Sequence, residues 1–501
     1  MQNWSTQLTL AEIDLSALES HLWEAANILR GPVDASDFKT YIFPLLFFKR
    51  ISDVYDEEVQ QALAEAGGDF PENHRFQIPE GCHWRAVREK TLHVGQALQQ
   101  ALHGIEQANQ RTLYGIFGDA QWTNKERLPD ELLCDLLDHF SRLSLANSQV
   151  NSDILGQAYE YLIKKFADAT NKKAGEFYTP RSIVRLMINI LDPRPGDTIY
   201  DPACGTGGML LEAVHHVAEQ DGSTRSLWGK LFGQEKNLTT SSIARINLFL
   251  HGIEDFHIER GDTLRAPVFT RNDQLATFDC VIANPPFSLD KWGDELWMSD
   301  RYGRNFAGLP PKTSGDYAWV QHMITSMAAK SGRMAVVVPH GVLFRMGAEG
   351  TIRRNILERD LLEAVIGLGP NLFYGTGLAA CILVFRQQKQ ADHKHKLLMI
   401  DASRLFKKGR NQNTLEPTHV EQIFDWYRSW EDVPGVAKVV TLDEIEQNDW
   451  NLNIPRYVEA VVPDETISVE QAVAHLRSAL EEAYAAEDRL AELLRQNGLM
   501  G

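Results

Sequence analysis

Cysteine is scarce in this chain of 501 residues: Cys82, Cys134, Cys204, Cys280 and Cys381 stand apart, with no C-x-x-C pair. That spacing excludes a disulfide framework and a thiolate metal site, and the five read as reduced, mostly core residues. Long apolar runs are also missing. The most apolar early stretch, Tyr41 to Phe48, is too short for a bilayer and is interrupted by Pro44. No signal peptide is read at the start, so a cytoplasmic protein with no membrane partner is expected. Gly/Ser-rich and Pro-rich tracts and internal repeats are absent, which excludes solenoids and long flexible linkers. Positive charge is in deficit: 50 Lys and Arg against 68 Asp and Glu leave −18. This excludes an autonomous, nonspecific DNA binder held by overall charge, and a nucleic-acid substrate would need a local basic surface or a partner. What is present is an ordinary globular composition, 44% hydrophobic and 24% charged, over a length that suits two or three units.

Residues 1–150 are expected to form a helical domain. Leu15, Leu18, Leu22, Ala25 and Leu29 share one helical face, and Gly31-Pro32 stops that helix. Asp34-Ala35-Ser36-Asp37 offers caps for the next, which runs through Phe47, Ile51 and Val54, and Trp84, Leu92 and Leu98 suggest more. No catalytic constellation occurs here. The region reads as packing, with DNA or partner contact as the alternative.

From 151 the pattern alternates strands and helices, an α/β arrangement, and its centre is Asn284-Pro285-Pro286-Phe287. The tetrapeptide follows the apolar run Phe278 to Ala283. Pro285 ends that strand because it lacks a ladder donor, which places the motif where open parallel sheets bind ligands. An asparagine oxygen and a proline carbonyl can each accept one N–H of an exocyclic nucleobase amine, and Phe287 offers a face to a flipped base. An ordinary strand-ending turn is the bland alternative. Upstream, a strand through Ile199 and Tyr200 enters Asp201-Pro202-Ala203-Cys204-Gly205-Thr206-Gly207-Gly208, and a helix follows. Its N–H groups suit a carboxylate or phosphate, and Asp201 suits a cationic amine, so an amino-acid moiety fits better than a pyrophosphate. The strand Leu231 to Glu235 places Glu235 to accept from ribose hydroxyls. Asp262 can accept from an adenine amine or cap a helix. Asp201, Glu235, Asp262 and Asn284 thus fall at four successive strand tips.

In Gly175-Glu176-Phe177-Tyr178-Thr179-Pro180-Arg181, Thr179 is expected to cap a helix bearing Ile183, Leu186, Met187 and Ile190. Lys291, Arg301, Arg304 and Lys312 lie in a loop that can hold phosphates and unstacked bases, or is simply a solvated surface. Strands at 333–339, 362–368 and 379–385 bring the count to seven, with Asn371 to Gly377 as a hairpin-like link. Residues 387–455 carry a short strand at 397–400 and a helix near Ile423, with no assigned role. Val469, Val473, Leu476, Leu480, Ala483, Glu487, Leu490 and Leu494 form a heptad seam interrupted by Glu487, read as an assembly helix in preference to one that folds back on its own protein.

Taken in order, these motifs resemble the modification (M) subunit of type I restriction–modification systems. Asn453-Ile454-Pro455-Arg456-Tyr457 adds to the likeness. The resemblance implies a Rossmann-like seven-stranded methyltransferase core over 151–460, an N-terminal helical domain over 1–150 and an assembly helix over 461–501. It implies N6 methylation of adenine in double-stranded DNA with S-adenosyl-L-methionine and without a metal. Glu176, Phe177, Tyr178, Thr179, Pro180 and Arg181 would close over the methionine part. Asp201, Thr206, Gly207 and Gly208 would hold its amino and carboxylate groups, Glu235 the ribose and Asp262 the adenine. Asn284 and Pro285 would grip the target amine, with Pro286 in the same rigid turn and Phe287 on the base. A specificity (S) subunit would read DNA beside a second M subunit, and a restriction (R) subunit would join for cleavage. Methylation of RNA or of protein glutamine, a silent cofactor-binding scaffold and an NAD-dependent enzyme are the competing readings.

Overall fold

The computed structural model describes residues 13–169, 179–373, 376–410, 412–459 and 469–496. Met1–Val458 form one unit and Glu459–Gly501 another. The helices Leu15–Ile28 and Phe38–Ala66 fall where the periodicity puts them. Leu18, Leu22 and Ala25 bury the predicted face of the first, and Gly31 follows it at φ +112°. Pro44 is tolerated inside the second helix, and no described helix is long and apolar enough to cross a membrane.

The helical core reaches beyond residue 150. It takes in Leu155, Ala158 and Tyr159 from the helix Ser152–Ala169. It also takes one face of the helix Leu238–Leu250, through Ile243, Ile246 and Phe249. The opposite face of that helix, Ala244 and Leu248, belongs to the core beside the sheet. One helix therefore serves both cores, and polar contacts fix it there: Tyr159 donates to the Ile243 carbonyl at 3.1 Å, and Arg245 donates to the Tyr114 and Thr112 carbonyls at 2.6 Å each.

Nine strands make the main sheet: β1 Ile199–Asp201, β2 Leu231–Glu235, β3 His257–Arg260, β4 Cys280–Ala283, β5 Arg333–Pro339, β6 Leu362–Leu368, β7 Ala380–Arg386, β8 Lys396–Ala402 and β9 Ala437–Thr441. Their order is β9-β8-β6-β7-β5-β4-β1-β2-β3. Pairing is parallel except that β7 runs against β5 and β6, and β9 against β8. The seven expected strands are all here as an α/β Rossmann-like core. Residues 396–402 and 437–441 extend the sheet past β6, and the helix Pro417–Ser429 buries Val420 and Ile423 beside them. β8 is buried on both faces, which a parallel strand covered by helices requires. The chain order reverses around β1, between β4 and β2, the position where doubly wound sheets open a crevice. Asp279 pins the starts of β1 and β4 together, accepting from the Thr198 N–H at 2.9 Å and its hydroxyl at 2.7 Å.

In the second unit the whole predicted seam lies on one helix, Val469–Gln496. Leu476 is 60% and Leu490 57% exposed.

Where the helices Ser152–Ala169 and Leu238–Leu250 meet, a Cβ placed on Gly156 would stand 2.3 Å from Nε2 of His251. Gly156→Ala is therefore expected to cost about 1–3 kcal/mol by overpacking. A thermal melt read by circular dichroism should shift down by about one to three degrees, and an unchanged melt would show that the ring moves aside freely.

Candidate active site

At the tip of β1 the Asp201 residue is 2% exposed, and its Oδ1 accepts from the Ala203 N–H at 3.0 Å. Burial pushes its carboxyl up to about 8; that hydrogen bond opposes the shift and the nearby Glu235 carboxylate adds to it. A buried acid of this kind calls for a cation. The loop then turns through Gly205 at φ +53° and Gly207 at φ +80° into the helix Gly208–Asp221. A Cβ at Gly205 or at Gly208 would meet nothing within 4 Å. Bare backbone and a helix N-terminus thus face open space beside the buried acid, which fits the carboxylate and ammonium of an amino-acid moiety.

Glu235 ends β2 and braces this loop. Its oxygens accept from the Gly205 N–H at 3.1 Å and the Asn237 N–H at 2.7 Å, and burial raises its pKa. Each carboxylate oxygen keeps a second lone pair for a ligand hydroxyl. Asn247 steadies the loop from behind, its Nδ2 donating to the Thr206 carbonyl at 3.0 Å. Asp262 follows β3, ion-paired with Lys236 at 2.9 Å and accepting from the Arg265 N–H at 3.3 Å.

Asn284 follows β4 directly. Its Nδ2 donates to the Thr179 hydroxyl at 2.9 Å. Its Oδ1 is buried and has no hydrogen-bond partner among the described residues. An orphaned acceptor at a strand tip is what an incoming amine would satisfy. Pro285 is buried and Pro286 half-buried. Phe287 meets Phe373 edge to face, with ring centroids 5.8 Å apart and planes at 69°.

Thr179 departs from expectation. The helix Arg181–Leu191 takes Pro180 as its N-cap residue, with no side-chain cap. The threonine hydroxyl is used instead to hold Asn284. Arg181 is ion-paired with Glu160. Glu176, Phe177 and Tyr178 lie outside the described residues. The loop of basic residues is also corrected in part. Arg304 is 2% exposed, paired with Asp300 at 2.7 Å and donating to the Thr263 carbonyl at 3.1 Å, so it is structural and closed to a phosphate. Lys312 lies 3.6 Å from Asp294.

Sequence reasoning missed a buried cluster behind the tetrapeptide. Asp316 accepts from the Ser288 N–H at 2.7 Å, holding that residue at φ +50°. Arg345 reaches both Asp316 and Glu349 at 3.0 Å, and the Ser314 hydroxyl donates to Asp316 at 3.1 Å. The turn after Phe287 is thereby fixed by a charge-assisted network. An acid opening the helix Asp316–Thr325 reads in sequence as ordinary dipole compensation, so only the fold exposes this second task.

Known proteins resemble this chain along most of its length. The family model described as N-6 DNA Methylase matches residues 150–466, and that described as HsdM N-terminal domain matches 18–140. The type I restriction enzyme MjaVII methylase subunit of Methanocaldococcus jannaschii is 31% identical over 94% of this chain and 81% of its own length. The HindI methylase subunit of Haemophilus influenzae is 29% identical over 84% of this chain and 98% of its own. The solved type I restriction–modification methyltransferase subunit from Streptococcus thermophilus superposes with a TM-score of 0.77 at 31% identity, over 89% of this chain and 100% of that one. With one family model spanning well over half its length, and relatives of this closeness along nearly all of it, the chain belongs to the N-6 DNA methylase family and is a methylase subunit of the type I restriction–modification kind.

Proposed function

We propose that the crevice between β1, β2 and β4 holds S-adenosyl-L-methionine and an adenine turned out of double-stranded DNA, and that methyl passes to the adenine N6. The observation that carries this is the buried Oδ1 of Asn284, without a partner among the described residues and held at a strand tip by an amide whose other end is tied to Thr179. Family membership favours this reading over RNA or protein glutamine as the acceptor.

The cofactor, when bound, supplies an electrophilic methyl on its sulfonium. Asp201 would hold its ammonium, and the N–H groups of Thr206, Gly207 and Gly208 its carboxylate. Glu235 would accept from the ribose hydroxyls and Asp262, one of whose oxygens is paired with Lys236, from the adenine moiety. Glu176, Phe177, Tyr178, Thr179, Pro180 and Arg181 cover the methionine end. On the substrate side, Asn284 Oδ1 and the Pro285 carbonyl accept the two N–H groups of the target amine. They offset positive charge as the nitrogen commits its lone pair, and being fixed beforehand they need little reorganisation. Pro286 stiffens the turn, and Phe287 stacks on the base while its edge contact with Phe373 holds the ring.

The net charge of −18 leaves DNA recognition to other chains. We assign that task to a specificity (S) subunit, flanked by this chain and a second copy, with a restriction (R) subunit joining for cleavage. In this division residues 1–150 are the helical domain, 151–460 the methyltransferase domain and 461–501 the assembly helix.

Methyl transfer from labelled cofactor should place label in N6-methyladenine of DNA only when the S subunit is present. Asn284→Ala should lower that rate by about 10²–10³ with cofactor affinity within a few fold. Lost cofactor binding in a folded variant would overturn the role given to Asn284.

At pH 7 the free Asp201 is mostly protonated, whereas a bound ammonium favours the carboxylate. Cofactor binding should therefore release a proton below about pH 8, and affinity should rise with pH up to that value. Calorimetry in buffers of different ionisation heat reads this release directly. Asp201→Asn should abolish it, and no release by the wild type would remove Asp201 from the ammonium site.

Deleting residues 469–496 should leave the melting of the remaining chain and its cofactor binding intact while co-purification with the S subunit is lost. Undiminished co-purification would remove the helix from the assembly.

A further inference from the structure

Four cations fall within seven residues directly past β8: Arg404, Lys407, Lys408 and Arg410. All four are exposed. Lys407 is paired with Glu416 at 2.7 Å, while Arg404, Lys408 and Arg410 have no acidic partner among the described residues. In a chain of net charge −18 such a concentration of unneutralised positive charge is a local exception.

The segment is also built. Lys407 and Thr414 exchange backbone hydrogen bonds of 2.8 and 3.0 Å, closing a turn. Within it the Gly409 backbone passes so near the Gln412 carbonyl that a Cβ would stand 1.9 Å away. The turn is then fastened to the link after β6. Asn413 donates from its backbone N–H to the Asn371 carbonyl at 2.8 Å and from Nδ2 to the Pro370 carbonyl at 2.9 Å, and Gln412 Nε2 donates to the Leu372 carbonyl at 2.7 Å. The next residue in that link, Phe373, is the ring packed against Phe287.

Sheet register puts this turn on the catalytic edge. Ala402 pairs with Leu368 in parallel, Gly367 with Cys381 and Pro339 with Ala380 in antiparallel, and Val336 with Ala283 in parallel. The chain therefore leaves β8, β6, β5 and β4 on one side of the sheet, the side that carries Asn284.

We propose that the turn 404–414 is a phosphate-binding element for the substrate duplex, in which Arg404, Lys408 and Arg410 seat the sugar–phosphate backbone next to the adenine that enters the crevice. This rests on the DNA methyltransferase reading above and adds the missing electrostatic contact of an acidic chain with a polyanion. Arginine forks match phosphate oxygens, and a turn fastened in advance loses little freedom on binding. Backbone contacts of this kind position the duplex without reading its sequence.

The test measures DNA binding by the full chain assembled with its S subunit, as a function of salt. The triple variant Arg404→Ala, Lys408→Ala, Arg410→Ala should flatten the slope of log K against log salt by about two to three, and weaken binding at least about tenfold near physiological salt. The KM for DNA should rise with it, while cofactor affinity and target-sequence preference stay put. Arg85→Ala, Arg88→Ala, Lys90→Ala, an equal loss of charge in the helical region, should leave the slope unchanged. Should the triple variant fold poorly, Lys408→Gln alone should change the slope by about one. A loop variant whose slope matches the wild type or that control overturns the proposal. So does one that fails to assemble with the S subunit, since the cations would then serve a protein contact. Binding is read apart from chemistry, so a wild-type complex that binds DNA but labels no adenine would strike the proposed function and leave the loop to be judged by its slope.

Discussion

Parallel pairing of β4, β1 and β2 in one register is the constraint on which the site depends. Ile199 lies beside Leu231 on one side and Cys280 on the other, and Asp201 beside Gly233. Strands aligned in this way must release their chains at the same edge, so three segments distant in sequence deliver Asp201, Glu235 and Asn284 to one crevice. The ladder itself carries no chemistry, yet a slip of one residue would turn every side chain to the opposite face. Asp279 guards that register from below through its two bonds to Thr198. Above, the free backbone of the glycine loop is held by Glu235 and Asn247.

Two polar groups in this crevice are left in unfavourable states by the protein alone. Among the described residues, Asp201 is buried with no cation paired to it, and Asn284 keeps an acceptor buried without a donor. Each arrangement costs stability in the free chain, and each is relieved by a ligand group of the complementary kind. Both are also over-determined by their surroundings, as such groups must be to persist: Asp201 by the Ala203 amide, Asn284 by Thr179, and the turn beyond it by Asp316. The polarity of the crevice is thus set before anything binds, and on the proposed reading this preorganisation is what a methyl transfer to a weakly nucleophilic amine would draw on.

Whatever depends on local pattern was legible in the sequence. Apolar runs ended by Asp201, Glu235 and Pro285 announce strand tips because proline and strand-end acids have meaning within a few residues. Thr179 misled for the same reason: a hydroxyl before a proline is a local capping signal, whereas its actual partner lies 105 residues away. Arg304 reads as a surface cation until the fold buries it on Asp300. The strand Ala437–Thr441 lies at the sheet's end with half-exposed residues, and its short Ala-Lys-Val-Val-Thr run gives a weak signal. The cations of 404–410 drew no reading in the sequence, because nothing local tells that β8 stands beside β6, and their closeness to the crevice comes from strand order and from the bonds to the link after β6.

The helix Val469–Gln496 poses a different energetic question. Its 28 residues carry Val473, Leu476, Leu480 and Leu490 along one stripe, all well exposed to water. Helical propensity alone holds such a segment weakly, because nucleation is costly and each residue adds little. Burial of the stripe against a second apolar surface would contribute far more. In the proposed assembly, a charged interruption at Glu487 would cost some of that gain while restricting which register and partner are accepted, the usual use of a polar group in a heptad seam. On the proposed reading, crevice and seam follow one logic: in each, groups that are unfavourable in the isolated chain would favour the partner that completes them.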